Sequence, residues 1–365
     1  MEKFENLGGS VTNSGQQNST AIKVALKSHS AISFGAGTYQ FSERITYQIG
    51  GSSSLTLIGS GADVTVLEWN EISDGIELTY SNNNCSSHIR NLTISTNQND
   101  KSKGLSLVKS TIDQNPANGP LSDITGVTIR GANGYANSQS WKTGIILNGI
   151  SNINLTDINI TGTGGAYSTN GTGLLIEGVS PGSVAFNITR ATINYVNTGI
   201  IIGANVQGVT VSQSNLTGNT YGIYVPVSGK NTGQSMLVVT NGNQFNCATA
   251  AINIETDYEG VVVTNNMFII PNGSPSIGVQ LLLSNTFNIV GNSFVSAGGT
   301  SQNGVVIAGY GNGAGIVSGN SFGQINPTNI WLQDSSQYVN VQGNSSRTGS
   351  TINTGTNNSV GNATD

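Results

Sequence analysis

The sequence predicts an all-β fold: one single-stranded, right-handed parallel β-helix of about ten coils with a short capping helix near the N-terminus. Two repeated patterns indicate this fold. In the first, a small residue, usually Gly, begins a short run with two apolar residues two positions apart, as in Gly304-Val305-Val306-Ile307. In the second, an apolar residue precedes a turn that contains Asn and then a Phe, as in Val317-Ser318-Gly319-Asn320-Ser321-Phe322.

The first pattern recurs at intervals of 23–29 residues, with one 40-residue step. Alternation with a period of two places both apolar residues of each run on one face of a strand. Repeats that bury such a face against their neighbours are typical of solenoids. The predicted inward pairs are Ile76/Leu78, Leu105/Leu107, Ile145/Leu147, Leu174/Ile176, Ile200/Ile202, Ile223/Val225, Ile252/Ile254, Val279/Leu281, Val305/Ile307 and Ile330/Leu332.

The second pattern places Asn at the same point of four successive repeats, at Asn266, Asn292, Asn320 and Asn344. Identical amides stacked at the strand spacing of about 4.8 Å can hydrogen-bond from one coil to the next. We therefore expect a structural amide ladder there.

Composition excludes several classes of protein. The chain has 13 Lys+Arg, a formal net charge of −5 and no basic stripe, so nucleic acid is not an expected partner. No apolar run is long enough for a membrane span, and the N-terminus lacks the apolar core of a signal peptide. Cys85 and Cys247 are predicted to be unpaired thiols. Histidine-based catalysis is not expected from His29 and His88, the only two histidines.

Four segments follow from the pattern. Residues 1–18 are expected to form a polar arm or linker, and residues 19–345 the β-helix domain with its helical cap. Within that domain, a helix over Ser19–His29 is predicted, with Ser19 as its N-cap. Ile112–Trp141 is the longest departure from the repeat, and we expect a loop over the binding face. Residues 346–365 are expected to be a polar tail or a last partial coil.

The segment Ala31–Leu67 resembles the opening of the pectate-lyase-like β-helix superfamily, in the branch that includes bacteriophage tailspikes and capsule depolymerases. The matching residues are Thr20-Ala21-Ile22, Gly35-Ala36-Gly37-Thr38-Tyr39, Leu57-Ile58-Gly59-Ser60-Gly61 and Thr65-Val66-Leu67. The resemblance implies a virion or extracellular protein that binds and cleaves a bacterial surface polysaccharide, as an endo-glycosidase rather than a lyase. The alternative is a non-catalytic adsorption or structural spike on the same scaffold.

An acidic run supplies the candidate catalytic residues Glu255 and Asp257. Ile252 and Ile254 point inward by register, so Asn253, Glu255 and Asp257 point outward while the strand lasts. Glycoside hydrolysis uses two carboxyls about 5–9.5 Å apart, and residues two apart on a strand have side chains about 7 Å apart. The alternatives are a solvated strand edge and a divalent metal site, with calcium as the ion that the resemblance implies.

Glu177 is the third catalytic candidate, because it occupies the same outward column as Glu255. Three coil steps separate the two by about 14 Å, too far for one acid–base pair, so Glu177 would serve a neighbouring subsite or subunit. Amide and aromatic side chains in the adjacent column could bind sugar hydroxyls and ring faces. These substrate-binding candidates are Tyr224, Asn253, Gln280 and Trp331, with Tyr221, Tyr258 and Tyr310 close by in turns.

Other residue groups give weaker signals. A second acidic group, Glu68, Glu71, Asp74 and Glu77, lies in the first coils, and Lys142, Arg130 and Arg190 are the candidate bases of a lyase. The Gly run from Gly309 to Gly315 lacks the spacing of a phosphate-binding loop.

Six outward positions are apolar, which predicts a surface patch and self-association. The resemblance implies that the assembly is a homotrimer. The six residues are Val108, Ile146, Leu175, Ile201, Leu282 and Val306.

Overall fold

The computed structural model describes residues 1–109, 119–135, 138–163, 165, 167–179, 182–229, 235–272, 275–308 and 314–361. This part of the chain is nearly all β and winds into a parallel solenoid of about 11 turns, with one short helix near the N-terminus. The predicted fold class is confirmed. Within the described residues, no helix is long and apolar enough to cross a membrane.

Each coil contributes strands to three parallel sheets, here named A, B and C in the order in which the chain visits them. Four long strands turn a corner and belong to two sheets: Ser86–Thr96 and Ser122–Gly131 to A and B, Asn215–Val225 and Gln244–Ile254 to B and C. The other strands of sheet A are Glu2–Lys3, Ala31–Ser33, Ser54–Ile58, Ile153–Thr156, Ser183–Thr189, Val206–Ser212, Met236–Thr240, Tyr258–Thr264, Ser284–Val290, Ala314–Ser318, Val339–Gln342 and Ser359–Val360.

Sheets B and C complete the coil. Sheet B also contains Gly37–Phe41, Thr65–Trp69, Asn159–Thr161, Thr192–Asn194, Met267–Ile270, Ser293–Ser296, Ser321–Gly323 and Ser345–Ser346. Sheet C also contains Ile45–Ile49, Ile76–Tyr80, Lys103–Val108, Thr143–Asn148, Thr172–Glu177, Thr198–Ile202, Ser276–Leu281, Gln302–Ile307, Pro327–Leu332 and Ser350–Asn353. Two 3-10 turns, Phe4–Leu7 and Val227–Gly229, lie outside the sheets.

The core lies inside the coils, where the predicted inward pairs stack in register along sheet C. Leu174 pairs with Ile200, and Ile252 with Val279. Every side chain of the ten predicted pairs is at most 3% exposed. Period-two alternation therefore identified the buried face of each of these strands correctly. Cys85 and Cys247 are buried in this core and unpaired, as predicted.

The Gly that begins each sheet C run has a steric reason. A Cβ on Gly278 would lie 2.6 Å from the carbonyl oxygen of Gly304, and a Cβ on Gly304 would lie 2.5 Å from that of Asn329. Both distances are shorter than real Cβ contacts, so most coils leave this position without a side chain. The repeated Gly thus marks a close approach between successive coils.

The amide ladder is confirmed at the corner between sheets A and B. Each Asn Nδ2 donates to Oδ1 of the Asn one coil later, and all five side chains are buried. The ladder begins one coil earlier than predicted, with steps Asn243–Asn266 2.8 Å, Asn266–Asn292 3.1 Å, Asn292–Asn320 3.0 Å and Asn320–Asn344 3.0 Å. Beside it, four Phe rings stack at 5.1, 4.7 and 4.9 Å through Phe245, Phe268, Phe294 and Phe322.

The capping helix exists, but its predicted start is wrong. It spans Gly15–Ser28, and its N-cap is Ser14, which forms a capping box with Gln17. Ser19 is instead buried inside the helix, where its Oγ accepts a hydrogen bond from the backbone N–H of Ser42 at 3.1 Å. Either Ser satisfies the sequence rule for an N-cap, and the reciprocal Gln17 contact favours Ser14.

The chain ends pack on the solenoid. Glu2–Lys3 pairs with the strand Ala31–Ser33, and Phe4 is fully buried with its ring 5.0 Å from that of Phe34. The first residues therefore cover the open end of the first coil, which differs from the polar arm expected from the sequence. At the other end, Ser350–Asn353 and Ser359–Val360 pair with the preceding coil and remain largely exposed.

Candidate functional site

Glu255 directly follows the end of a sheet C strand. Its strand stops at Ile254, and the backbone N–H of Glu255 continues the ladder by donating to Val225 at 2.9 Å. Its side chain is held from two sides. The Tyr224 hydroxyl donates to Oε2 at 2.7 Å, and Asn253 Nδ2 donates to Oε1 at 3.0 Å. Three of the predicted site residues therefore form one hydrogen-bonded cluster.

A stacked tyrosine pair borders this cluster. The rings of Tyr221 and Tyr224 lie 5.1 Å apart at 23°, and both side chains are half-buried. Burial, followed by the hydrogen bond to the Glu255 carboxylate, raises the pKa of Tyr224 to about 12. Tyr224 is thus a neutral hydrogen-bond donor at ordinary pH, which fixes the direction of its bond to Glu255.

Asp257 lies in the turn that connects sheet C to sheet A. It is exposed and makes no hydrogen bond or ion pair with any described residue. Because the strand ends at Ile254, the strand spacing that suggested a carboxyl pair does not extend to this residue. Tyr258, predicted as a nearby turn residue, is instead fully buried at the start of the next strand. Asp257 is therefore close to Glu255 in the sequence, but no contact with a described residue fixes its carboxyl beside that of Glu255.

Glu177 stacks in the column that the sequence predicted. It ends the strand Thr172–Glu177, and a Cβ on Gly203 one coil later would lie 2.9 Å from its Cγ. Glu255 stands in the same column two coils after Gly203, since Ile202 and Ile254 occupy equivalent ends of sheet C strands. Glu177 is half-buried, and its carboxylate has no partner among the described residues.

The outward column of sheet C is confirmed by strand register. Tyr224 pairs with Asn253, Asn253 with Gln280, and Val306 with Trp331. Asn253 is only 3% exposed, so it can position Glu255 but offers little surface to a ligand. Gln280 and Trp331 are half-buried, and neither side chain has a hydrogen-bond partner within the described residues. These two remain available for a sugar.

The predicted apolar patch is only partly accessible. Ile146 is 8% exposed and Val306 is 2% exposed, so these two outward-facing side chains are buried within the chain itself. The other four side chains of the patch are half-buried. A side chain at an outward position of the register is therefore not always exposed, because neighbouring groups on the outer face cover some of these side chains.

The basic residues proposed for a lyase lie elsewhere. Arg130 Nε binds Asp63 Oδ1 at 2.9 Å, and Arg190 forms a two-pronged pair with Asp157 at 2.6 and 2.9 Å. The early acidic group is also paired, because Arg44 contacts Glu77 at 3.1 Å and Asp74 at 3.7 Å. Arg130, Arg190, Asp74 and Glu77 therefore have partners of their own, in coils that precede the coil of Glu255.

A second polar cluster on the outer face of sheet A was missed from the sequence. His88 Nδ1 lies 2.5 Å from Asp123 Oδ2, and Arg90 binds both carboxylate oxygens at 2.7 Å. Burial opposes ionisation of Asp123, but the hydrogen bonds from Arg90 and His88 outweigh it and lower the pKa of its carboxyl. The matching segments Ser87-His88-Ile89 and Ser122-Asp123-Ile124 carried the signal, since they align these side chains in adjacent strands.

The predicted loop Ile112–Trp141 contains a ten-residue strand, Ser122–Gly131, which belongs to sheets A and B. Residues 112–118 and 136–137 of that segment lie outside the described residues, as do Tyr310 and Gly309, Gly311 and Gly313 of the Gly run. Among the described residues, no three His, Cys, Asp or Glu side chains form a group that could hold a metal ion.

Comparison with known proteins shows the fold. No family model and no curated protein sequence matches the chain. The Azotobacter vinelandii mannuronan C-5 epimerase AlgE6 A-module is similar over 99% of this chain and 98% of its own, with a TM-score of 0.67 and 14% identity. The AlgE4 A-module of the same organism covers 99% and 100%, with a TM-score of 0.59 and 12% identity.

A tailspike has the same architecture. The Dettilon tailspike protein gp208 is similar over 95% of this chain, with a TM-score of 0.64 and 14% identity. This chain spans 66% of that protein's length. At such identities the likeness is one of fold, and it confirms the predicted parallel β-helix.

Proposed function

We propose that this protein binds a bacterial surface polysaccharide along the outer face of sheet C and cleaves it at Glu255 as an endo-acting glycoside hydrolase. The observation that carries the proposal is the Glu255 carboxylate, which is fixed by Tyr224 and Asn253 and lies beside the column that continues from these two residues through Gln280 and Trp331. The fold shared with a phage tailspike and two mannuronan epimerases supports a polysaccharide as the ligand.

Glu255 and Asp257 have different roles in the proposed reaction. Glu255 accepts hydrogen bonds on both oxygens, which suits a carboxylate that acts as base or nucleophile. Asp257 is exposed and without a partner, so it can approach the glycosidic oxygen of a bound chain and protonate the leaving group. Glu255 either removes a proton from the water that attacks the anomeric carbon, or attacks that carbon itself to form a glycosyl-enzyme ester. In the second case water then cleaves the ester, and the Asp257 carboxylate takes the proton of that water.

Charge favours hydrolysis over elimination. A lyase acting on a uronate needs a cation to stabilise the carboxylate beside the proton that is removed. Arg130 and Arg190 are already paired with Asp63 and Asp157. Between residues 191 and 346 the sequence contains a single Lys or Arg, Lys230, which lies outside the described residues. The surroundings of Glu255 therefore suit a neutral glycan.

The test is the release of reducing ends from a panel of bacterial surface polysaccharides. Glu255→Gln and Asp257→Asn should each lower the rate by about 10²–10⁴-fold, because general acid–base help contributes that much. The control is Asp334→Asn, an exposed acidic residue in a later coil, which should cleave at the wild-type rate. Wild-type rates in both Glu255→Gln and Asp257→Asn would refute this site and direct attention to Glu177.

The alternative is a non-catalytic adsorption spike. It is favoured by one observation, namely that Asp257 has no contact that holds it beside Glu255. A spike would bind the polysaccharide and release neither reducing ends nor unsaturated sugars. Unsaturated products, detected by their ultraviolet absorbance, would instead identify a lyase.

We also propose that the protein acts as a homotrimer on a virion or outside the cell. Val108, Leu175 and Ile201 are apolar and half-buried at outward positions of the coils before Tyr224, where a neighbouring chain would cover them and leave Gln280 and Trp331 free for the polysaccharide. The mass in solution at micromolar concentration tests this, and a monomer would contradict it.

A further inference from the structure

A long trough runs along the outer face of sheet A, at the edge where its strands begin. It consists of two adjoining grooves of about 580 and 400 Å³, which share Thr286. Both volumes lie in the range of about 300–1,000 Å³ that is typical of ligand sites. From the coil of Val184 to that of Tyr338 the trough crosses six coil steps, or about 29 Å.

The trough is concave because short side chains follow Met236 in one column of sheet A, at Gly260, Thr286 and Ala314. Gly260 pairs with Met236 on one side and with Thr286 on the other, and Thr286 pairs with Ala314. Ala185 and Gly208 line its first coils. Small residues at these positions leave the groove open between the bulkier side chains on either side.

Polar side chains in the trough have unused hydrogen-bonding capacity. Gln207, Thr210, Asn288 and Asn340 line it, and none of these side chains bonds to another described residue. Elsewhere on the same face some polar side chains bond to one another, as in the bonds Asn187–Asn154 at 3.0 Å and Thr240–Thr264 at 2.8 Å. Free amides and hydroxyls in a concave surface are what sugar hydroxyls require.

Apolar side chains are exposed between these polar groups. Met236 is 50% exposed, Ile316 39% and Tyr338 52%, and all three line the trough. Such surfaces pack against the CH faces of sugar rings. Glu259 is the only charged side chain of the trough within the described residues, so its field disfavours uronates and other acidic sugars.

We propose that the trough binds a linear, neutral polysaccharide whose chain axis lies along the solenoid. The inference rests on the proposed function only in taking a polysaccharide as the ligand. The turn over residues 255–257 joins the sheet C strand that ends at Ile254 to the sheet A strand that begins at Tyr258, and Asp257 is exposed in this turn. Glu259 of that strand lines the trough, so a glycan held there lies beside the turn that carries Asp257.

The first test fills the trough at Gly260. A Cβ there would lie 3.5 Å from its nearest neighbour, the Ser235 carbonyl oxygen, and the backbone is not left-handed, so Gly260→Val fits the strand. Gly323→Val is the matched control on sheet B, where the nearest atom to a Cβ lies at 3.7 Å. Retardation is measured by electrophoresis in gels that contain soluble bacterial polysaccharides, neutral or acidic.

The second test removes the Tyr338 platform. Tyr338 has φ 56°, a left-handed conformation that Asn tolerates well, so Tyr338→Asn keeps the backbone. Tyr195→Asn is its control, at φ 59° and outside the trough. We expect Gly260→Val and Tyr338→Asn each to need about tenfold more neutral polysaccharide for equal retardation, the effect of losing one central contact. Both controls should match the wild type.

Three results would overturn the inference: retardation by acidic polysaccharides only, retardation by none, or equal behaviour of Gly260→Val and Gly323→Val. Glu255→Gln separates this proposal from the proposed function, since it should abolish cleavage and leave retardation unchanged. Loss of retardation in Gly260→Val without any cleavage by the wild type would support the trough and refute the hydrolase.

Discussion

The first and second halves of the solenoid are held together by different interactions. In residues 1–190, ion pairs link the coils, most of them between successive coils and Arg130–Asp63 across two coil steps. They include Arg44–Glu77, Arg90–Asp123, Arg130–Asp63 and Arg190–Asp157. Eleven of the 13 Lys and Arg residues lie in this half, and the other two are Lys230 and Arg347. Ion pairs between coils are thus a feature of the N-terminal half.

In the second half, columns of identical side chains replace the charges. The buried amide ladder and the Phe stack run through the same coils, from Asn243 to Asn344 and from Phe245 to Phe322. From residue 191 onward, no ion pair joins any two of the described residues. This half carries almost no charge beyond the acidic turn at Glu255.

The difference follows from how regular the coils are. Identical side chains can stack only where each coil repeats the same corner, and the later coils recur every 23–29 residues. The earlier coils include the 40-residue step from Leu105 to Ile145, where the sheet C strands stay in register but the connection between the two coils is longer. Long charged side chains tolerate such irregularity because they reach neighbours at several offsets. Long charged side chains therefore join the less regular early coils, and stacked identical side chains join the more regular late coils.

The largest expected effect is the loss of a ladder amide. Asn292→Ala removes the acceptor of the Asn266 backbone N–H at 3.0 Å and the donor to Val263 at 2.8 Å. Each buried group left without a partner costs about 1–3 kcal/mol, so we expect a loss of about 2–5 kcal/mol in the free energy of unfolding. Urea denaturation measures it.

The matched control for this change is Asn187→Ala on sheet A. Its amide also donates to the Asn of another coil, Asn154, but the bond is exposed and water can replace it. Exposed substitutions usually stay within about 0.5 kcal/mol. Equal losses in Asn187→Ala and Asn292→Ala would show that the ladder is not what stabilises the later coils.

The next effect concerns Asp123 in the N-terminal half. Asp123→Asn breaks charge-assisted bonds to Arg90 and His88, and we expect a loss of about 1–3 kcal/mol at pH 7. Folding lowers the pKa of this carboxyl, so its stabilisation is present above the ordinary Asp pKa of about 4 and is lost as pH falls through the lower folded value. The gap between variant and wild type should therefore narrow at pH 3.

Urea denaturation of both proteins at pH 7 and pH 3, followed by tryptophan fluorescence, measures this gap. Trp69 and Trp141 are buried in the N-terminal coils and report on them. Asp334→Asn, an exposed acid of the second half without such a partner, should show no gap at either pH. A gap for Asp123→Asn that widens at low pH would contradict the assignment.

The smallest effect is expected at Arg190. Its pair with Asp157 is about half exposed on both sides, with side-chain exposures of 51% and 50%. Exposed ion pairs contribute little and are screened by salt, so Arg190→Gln should lower the free energy of unfolding only slightly, and by less than Asp123→Asn does. Denaturation at low salt and in 1 M NaCl measures the loss, which should vanish at high salt. A loss that persists in 1 M NaCl would mean that packing, and not charge, holds this pair.

Repetition is what made the fold predictable. Period-two alternation gave the inward pairs, and the recurrence of Asn266 and Asn292 at one point of the repeat gave the ladder. The same register placed Tyr224 and Asn253 in one column, and they are the residues that hold Glu255. Local patterns therefore predict neighbours well where the coil length is constant.

The rest of the site depends on features that no local pattern contains. The position of Asp257 depends on where the strand ends, and that end is set by the corner at Ile254. His88 and Asp123 meet across 35 residues that include the irregular segment. The trough was also missed, because it is formed by the absence of side chains at Gly208 and Gly260. Patterns of residues that are present do not reveal such a cavity.

The amide ladder has a direction. Every step runs from Nδ2 of one Asn to Oδ1 of the Asn in the following coil, so the side-chain dipoles from Asn243 to Asn344 all point the same way. Dipoles aligned head to tail polarise one another, and hydrogen bonds in such a chain strengthen cooperatively. The ladder therefore gives this half of the solenoid an electrical polarity, which lies within the protein and owes nothing to charged residues.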